Sequence, residues 1–156
     1  MNTRTTSAKA VVLGALITGV ALLGTAAPAA AHTTHHAGVR ATAGRKLLAI
    51  IKTENAAVTR AKAEAGLSGL PAIESAFGGA ARRIDAIKFP GSDRADAKAL
   101  VASLVKLQYD VSRAIAAEGN ATELQGIETT VVNDEGTEVS ASDALREDLG
   151  LPLAKV

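Results

Sequence analysis

The chain lacks cysteine and tryptophan, and only three of its 156 residues are aromatic. The absence of cysteine excludes disulfide bonds, zinc knuckles, iron–sulfur clusters and a thiol nucleophile. Histidine occurs only between residues 32 and 36. A Ser-His-Asp hydrolase or a di-metal carboxylate bundle would need histidines on its folded elements. The formal net charge of +1 argues against a nucleic-acid-binding protein, which would carry a strong basic excess.

Residues 1–31 have the pattern of a secretory signal peptide. A basic start without acids precedes an uncharged run over residues 10–27, and Pro28 is followed by three alanines that suit a cleavage site. We therefore expect cleavage after Ala31, with His32 as the new N-terminus, and a secreted or cell-wall-associated protein without stable membrane insertion. An uncleaved anchor is the alternative, since about 18 apolar residues can just span a bilayer.

The next segment, residues 32–42, predicts a flexible polar leader that contains all three histidines, His32, His35 and His36. Cleavage would leave a free amine on His32 that can chelate copper together with the imidazole ring. Imidazole suits both copper and zinc, so this leader is the candidate metal site. The alternative, which we favour, is a polar tail whose histidines bind nothing specifically.

Apolar residues recur at three- and four-residue intervals in the remainder of the chain, as they do on one face of a helix. The pattern predicts four helices, at about residues 43–65, 70–88, 94–118 and 121–149. The short connections force neighbouring helices to be antiparallel. Residues 43–156 are therefore predicted to form an all-α, up-down antiparallel four-helix bundle.

Several local features refine this prediction. Asp93 and Asn120 are the expected N-caps of the third and fourth helices. A break in the fourth helix is plausible between residues 133 and 142, where Gly136 and its neighbours have poor helix propensity. The acidic run 133–138 resembles a calcium loop around that glycine, but the positions that require carboxylates are occupied by other residue types. A solvated helix face or loop is the simpler interpretation.

Two adjacent glycines, Gly78 and Gly79, lie inside the second predicted helix. They either open a ligand groove beside Phe77 or, as we favour, allow a neighbouring helix to approach closely. The single tyrosine, Tyr109, is expected at the bundle edge with its hydroxyl in water.

Charge is divided along the chain, with a formal charge of +5 over residues 32–91 and −6 over residues 92–156. The simpler interpretation is that the basic first pair of helices flanks the acidic second pair. Alternatively, the basic side contacts anionic wall polymers or lipid headgroups. An enzyme that relies on carboxylates and arginines alone is a third and less favoured hypothesis. Its candidate residues would be Glu74, Arg82, Arg83 and Asp85.

The chain resembles a group of known proteins in three features. These are the alanine-rich N-terminal segment, Phe89-Pro90-Gly91 followed by Arg94-Ala95-Asp96, and the C-terminal stretch from Ala144 to Pro152. In these features it is similar to small secreted all-α proteins of high-GC Gram-positive actinobacteria. The resemblance implies a helical fold and export, and it implies no activity.

Together these observations predict a secreted, non-catalytic helical bundle with a binding or structural role at the cell envelope. The alternative is an extracytoplasmic copper- or zinc-binding protein that uses the histidine leader. No cofactor and no nucleic-acid partner is expected. An anionic cell-wall polymer or another protein remains a candidate partner, and the long apolar stripes leave homo-oligomerisation open.

Overall fold

A computed structural model of the chain describes residues 34–64 and 67–153. The described residues form four α-helices and no strand: α1 (Thr34–Lys62), α2 (Leu70–Asp85), α3 (Arg94–Ala116) and α4 (Ala121–Asp148). Short connections join consecutive helices, and each helix packs against the next. This arrangement confirms the predicted all-α four-helix bundle. The expected signal peptide, its cleavage site and His32 lie outside the described residues.

The first helix begins at Thr34, well before the predicted start at residue 43. The predicted start of this helix is therefore wrong, because residues 34–42 of the expected leader, with His35 and His36, have a helical backbone. Nothing is described of the side chains of residues 34–37.

Arg40 and its partners connect this early part of α1 to the rest of the bundle. One terminal nitrogen of Arg40 donates to Ser92 Oγ and to Asp93 Oδ1, each at 3.0 Å. Asp93 is completely buried, and its side chain does not cap α3 as the sequence predicted. Tertiary pairing with the arginine therefore takes the place of the local cap.

The apolar stripes of the four helices meet in one core. The large side chains buried most completely are Leu47, Val58, Leu70, Ile73, Ile84, Leu100, Leu104, Leu107, Val111, Ile127 and Leu145. Each of them lies three or four residues from another apolar residue of the same predicted helix. Helical periodicity thus identified the buried face of each helix.

α2 and α3 approach each other closely at Gly78. A Cβ atom at Gly78 would lie 2.6 Å from Oε1 of Gln108, whereas a Cβ at Gly79 would meet its nearest neighbour at 3.8 Å. Phe77 is buried rather than exposed to a groove. The first glycine therefore lies at the contact between α2 and α3, as favoured from the sequence, and the end of the Gln108 side chain would have to shift to admit a Cβ atom.

The fourth helix continues without interruption through Gly136. Its N-cap agrees with the prediction, since Asn120 Oδ1 accepts a hydrogen bond from the Glu123 backbone at 3.2 Å. Buried Val131 and Leu145 lie on either side of the weak segment. Packing of these side chains outweighs poor local propensity, so the plausible break does not occur. The helical backbone also excludes a calcium loop here.

None of the helices in the described ranges is long and apolar enough to cross a lipid bilayer.

Candidate functional site

The histidine leader is only partly covered by the structure. His32 lies outside the described residues, and the side chains of His35 and His36 are not described. Their proposed role as copper or zinc ligands therefore stays a prediction. Among the side chains that the structure describes, those of residues 38–64 and 67–153, no three acidic groups come together in a way that could hold a metal ion.

A buried carboxylate interrupts the apolar stripe of α1. Glu54 lies between the apolar residues Ile51 and Val58 of this stripe, and its side chain is only 7% exposed. Burial raises its pKa to about 8, the nearby Glu138 of α4 adds to this effect, and Arg83 of α2 opposes it. Desolvation disfavours the charged form, so this carboxyl group binds a proton far more readily than a surface glutamate.

Two further acidic groups of α4 belong to the same polar layer. Burial raises the pKa values of Glu135 and Glu138 to about 7. Lys62 of α1 lies near the first of these and Arg146 near the second, and each cation lowers the pKa of its neighbour. These raised pKa values make the stability of the bundle depend on pH. Each of the two carboxyl groups also has a cation close to it.

A second polar network connects α3 and α4. Lys106 pairs with Asp134, and its ammonium nitrogen lies 3.7 Å from Oδ2 of Asp110. Arg113 lies 3.8 Å from the other oxygen of Asp110. Burial raises the pKa of Asp110, and its hydrogen bond with Asp134 raises it further. The run 133–138 is therefore not wholly solvated as expected, because Asp134 and Glu135 are buried.

A cleft with a volume of about 400 Å³ lies between the end of α2 and the beginning of α3. This volume falls within the range of about 300–1,000 Å³ that is usual for small-molecule sites. The lining residues are Ile84, Asp85, Ile87, Lys88, Phe89, Arg94, Ala97, Lys98 and Val101.

The connection between α2 and α3 fixes the apolar part of this cleft. The Phe89 backbone N–H donates to the carbonyl of Ile87 at 3.1 Å, and Arg94 Nε donates to the carbonyl of Phe89 at 3.3 Å. The side chains of Ile87 and Phe89 are buried. The cleft therefore has a preformed apolar wall.

Positive charge dominates the cleft. Lys88, Arg94 and Lys98 face a single carboxylate, Asp85, which leaves a formal charge of +2. Both lysines are exposed, and neither forms an ion pair with any residue in the described part of the chain. Chemically, the cleft suits a ligand with an anionic group and an apolar portion.

The sequence identified little of this arrangement. Of the residues proposed for a carboxylate–arginine enzyme, only Asp85 lines the cleft, and Arg83 Nε instead bonds the carbonyl of Gly79 in its own helix at 3.1 Å. A signal was nevertheless present. Lys88 precedes the Phe-Pro-Gly turn, and Arg94 and Lys98 follow it at the four-residue spacing of one helix face.

Comparisons of the chain with protein-family models, with curated proteins and with solved structures found no match.

Proposed function

We propose that this chain is a secreted, non-catalytic binding protein of the cell envelope that holds an anionic ligand in the cleft between α2 and α3. The observation that supports this proposal is the convergence of Lys88, Arg94 and Lys98 at one apolar cleft. These three residues are separate in sequence, and the packing of α2 on α3 brings them together.

The electrostatics favour an anion over a cation or a neutral molecule. Two exposed ammonium groups without ion-pair partners among the described residues remain available to a ligand. Arg94 uses Nε for the Phe89 carbonyl and presents the remainder of its guanidinium group, which suits bidentate contact with an oxyanion. An anionic ligand would relieve the repulsion among these three cations.

The envelope location is supported by the sequence of residues 1–31, which has the order of charge, hydrophobicity and small residues of a signal peptide. Anionic constituents are the ligands that the cleft would select from such an environment. The non-catalytic assignment is supported by the absence of cysteine and by the confinement of histidine to residues 32–36.

Export is tested by N-terminal sequencing of the protein recovered from the medium and wall fraction of an expressing Gram-positive host. The expected N-terminus is His32. An intact Met1 in the membrane fraction would refute the export part of the proposal.

Binding is tested by titrating the purified chain with butyl phosphate in a calorimeter. The Lys88→Ala/Lys98→Ala double variant should bind at least tenfold more weakly than the unaltered chain, because two of three cations are removed. The matched control is Lys46→Ala/Lys52→Ala, which removes two exposed lysines from α1, outside the cleft. Equal affinities in all three proteins, or no binding at all, would refute the cleft as an anion site.

A further inference from the structure

An exposed apolar stripe leaves the cleft along α3. Val101 lines the cleft, and Val105 and Tyr109 follow it at four-residue intervals, one on each successive turn. Val105 is 50% exposed and Tyr109 is 63% exposed. From the first to the last of these residues the stripe runs for about 12 Å, given a rise of about 1.5 Å per residue. The cleft is therefore the charged end of a longer amphipathic track.

The track is narrow. On one side Gln108 and Ser112 lie three residues after Val105 and Tyr109, and on the other side the small Ala102 and the charged Lys106 lie three residues before them. An apolar surface one side chain wide matches a single extended hydrocarbon chain. A lipid with two chains would need a broader apolar face.

The charge of the cleft points to the headgroup. Three cations and one carboxylate leave a formal charge of +2. A phosphate monoester carries a charge of roughly −1.5 to −2 at neutral pH and has three strong acceptor oxygens. A carboxylate or a sulfate ester carries a single negative charge and would leave the cleft positive.

From these observations we infer that the ligand is a single-chain phosphorylated lipid. Its phosphate lies between Lys88, Arg94 and Lys98, and its hydrocarbon chain lies along Val101, Val105 and Tyr109. This inference rests on the proposed function, since it names the ligand class of the same cleft.

Calorimetric titration with butyl phosphate and octyl phosphate, below their micelle concentrations, tests the hydrocarbon track. Octyl phosphate should bind about tenfold more tightly, because its four additional methylene groups lose part of their water-exposed surface on the stripe. The Val105→Ser/Tyr109→Ser double variant should lose this gain and keep its affinity for butyl phosphate. Both side chains are exposed, so the fold does not depend on them.

The matched control is Val132→Ser, which removes a valine of similar exposure, 47%, from α4. It should keep the full gain from the longer chain. Equal affinity for the two phosphates, or an unchanged gain in the double variant, would contradict the inference that the apolar stripe binds a hydrocarbon chain. Butyl phosphate binding that still depends on Lys88 and Lys98 would then preserve the proposed function and identify the occupant as a headgroup or an anionic polymer.

Octyl sulfate and octanoate test the headgroup in the same titration. Octyl phosphate should bind more tightly than either, in line with its larger charge. Equal or tighter binding of the singly charged probes would overturn the phosphate assignment. A complete absence of binding for all of these anions would refute the proposed function itself.

Discussion

Replacing Glu54 with glutamine is expected to stabilise the bundle at alkaline pH. The side chain is 7% exposed within the apolar stripe of α1, and burial raises its pKa to about 8. The Glu138 carboxylate adds to this effect and Arg83 opposes it. Glutamine keeps the shape of the side chain and removes the charge that burial disfavours.

The sign of the effect follows from the two pKa values. In the unfolded chain the Glu54 pKa is near 4.5, so between pH 4.5 and 8 the folded chain binds a proton that the unfolded chain has released. Stability therefore falls as the pH rises through this window, and the loss is complete above pH 8. The difference between the two pKa values corresponds to about 5 kcal/mol in total, of which about 3 kcal/mol is already lost at pH 7.

Urea unfolding at pH 5 and pH 9 measures this effect. The stability advantage of Glu54→Gln over the unaltered chain should increase by about 4 kcal/mol between the two pH values. Glu147→Gln, which alters an exposed carboxyl group of α4, is the control and should show no such increase. An advantage that is equal at both pH values, or a variant less stable at pH 9, would refute the argument.

Four further substitutions test the packing, the helix propensity and the N-cap of α4. Leu104→Ala should cost about 2–5 kcal/mol in denaturant unfolding, and a loss below about 0.5 kcal/mol would contradict its central position. Gly69→Ala should destabilise by about 1–3 kcal/mol or more, because its Cβ would lie 2.1 Å from the Ala61 carbonyl oxygen. Gly136→Ala should instead stabilise by about 1 kcal/mol, since nothing lies within 4 Å, and similar melting temperatures for these two variants would contradict both arguments. Asn120→Ala should cost about 1 kcal/mol through loss of the cap, and an unchanged melting temperature would exclude that role.

The sequence predicted the core well because periodicity and burial have the same physical cause. A residue such as Leu104 recurs at the helical interval because that face contacts other helices. The Gly78 packing contact and the Asn120 cap were also accessible, since each depends on one residue type at one place. These features can be recognised from the residue types at single positions of the sequence, without knowledge of the fold.

The errors arose where a distant residue decides the local structure. Local propensity did not indicate that α1 begins before residue 43, and it could not show that Arg40 in this part of the helix pairs with a buried aspartate 53 positions later. Because Asp93 pairs with Arg40, its side chain does not cap α3 as expected. Likewise, Gly136 would favour a break in isolation, but the buried residues around it keep α4 continuous.

The cleft was missed for a related reason. The sequence shows Lys88, Arg94 and Lys98 on both sides of a turn, but only the angle at which α2 packs on α3 decides whether they converge. Charge totals for the two halves of the chain concealed the site, because Lys88 belongs to the basic half and the other two cations belong to the acidic half. Net charges summed over long segments do not reveal a basic patch that spans the boundary between a basic and an acidic segment.

The claim that the cleft is the ligand site is tested most directly by mapping amide chemical-shift changes while octyl phosphate is added to the isotope-labelled chain. The account predicts saturable changes concentrated at Lys88, Phe89, Ala97 and Lys98, and continuing to Tyr109 along α3. Changes centred on α1 or α4, or shifts that never saturate and spread over the whole surface, would contradict it.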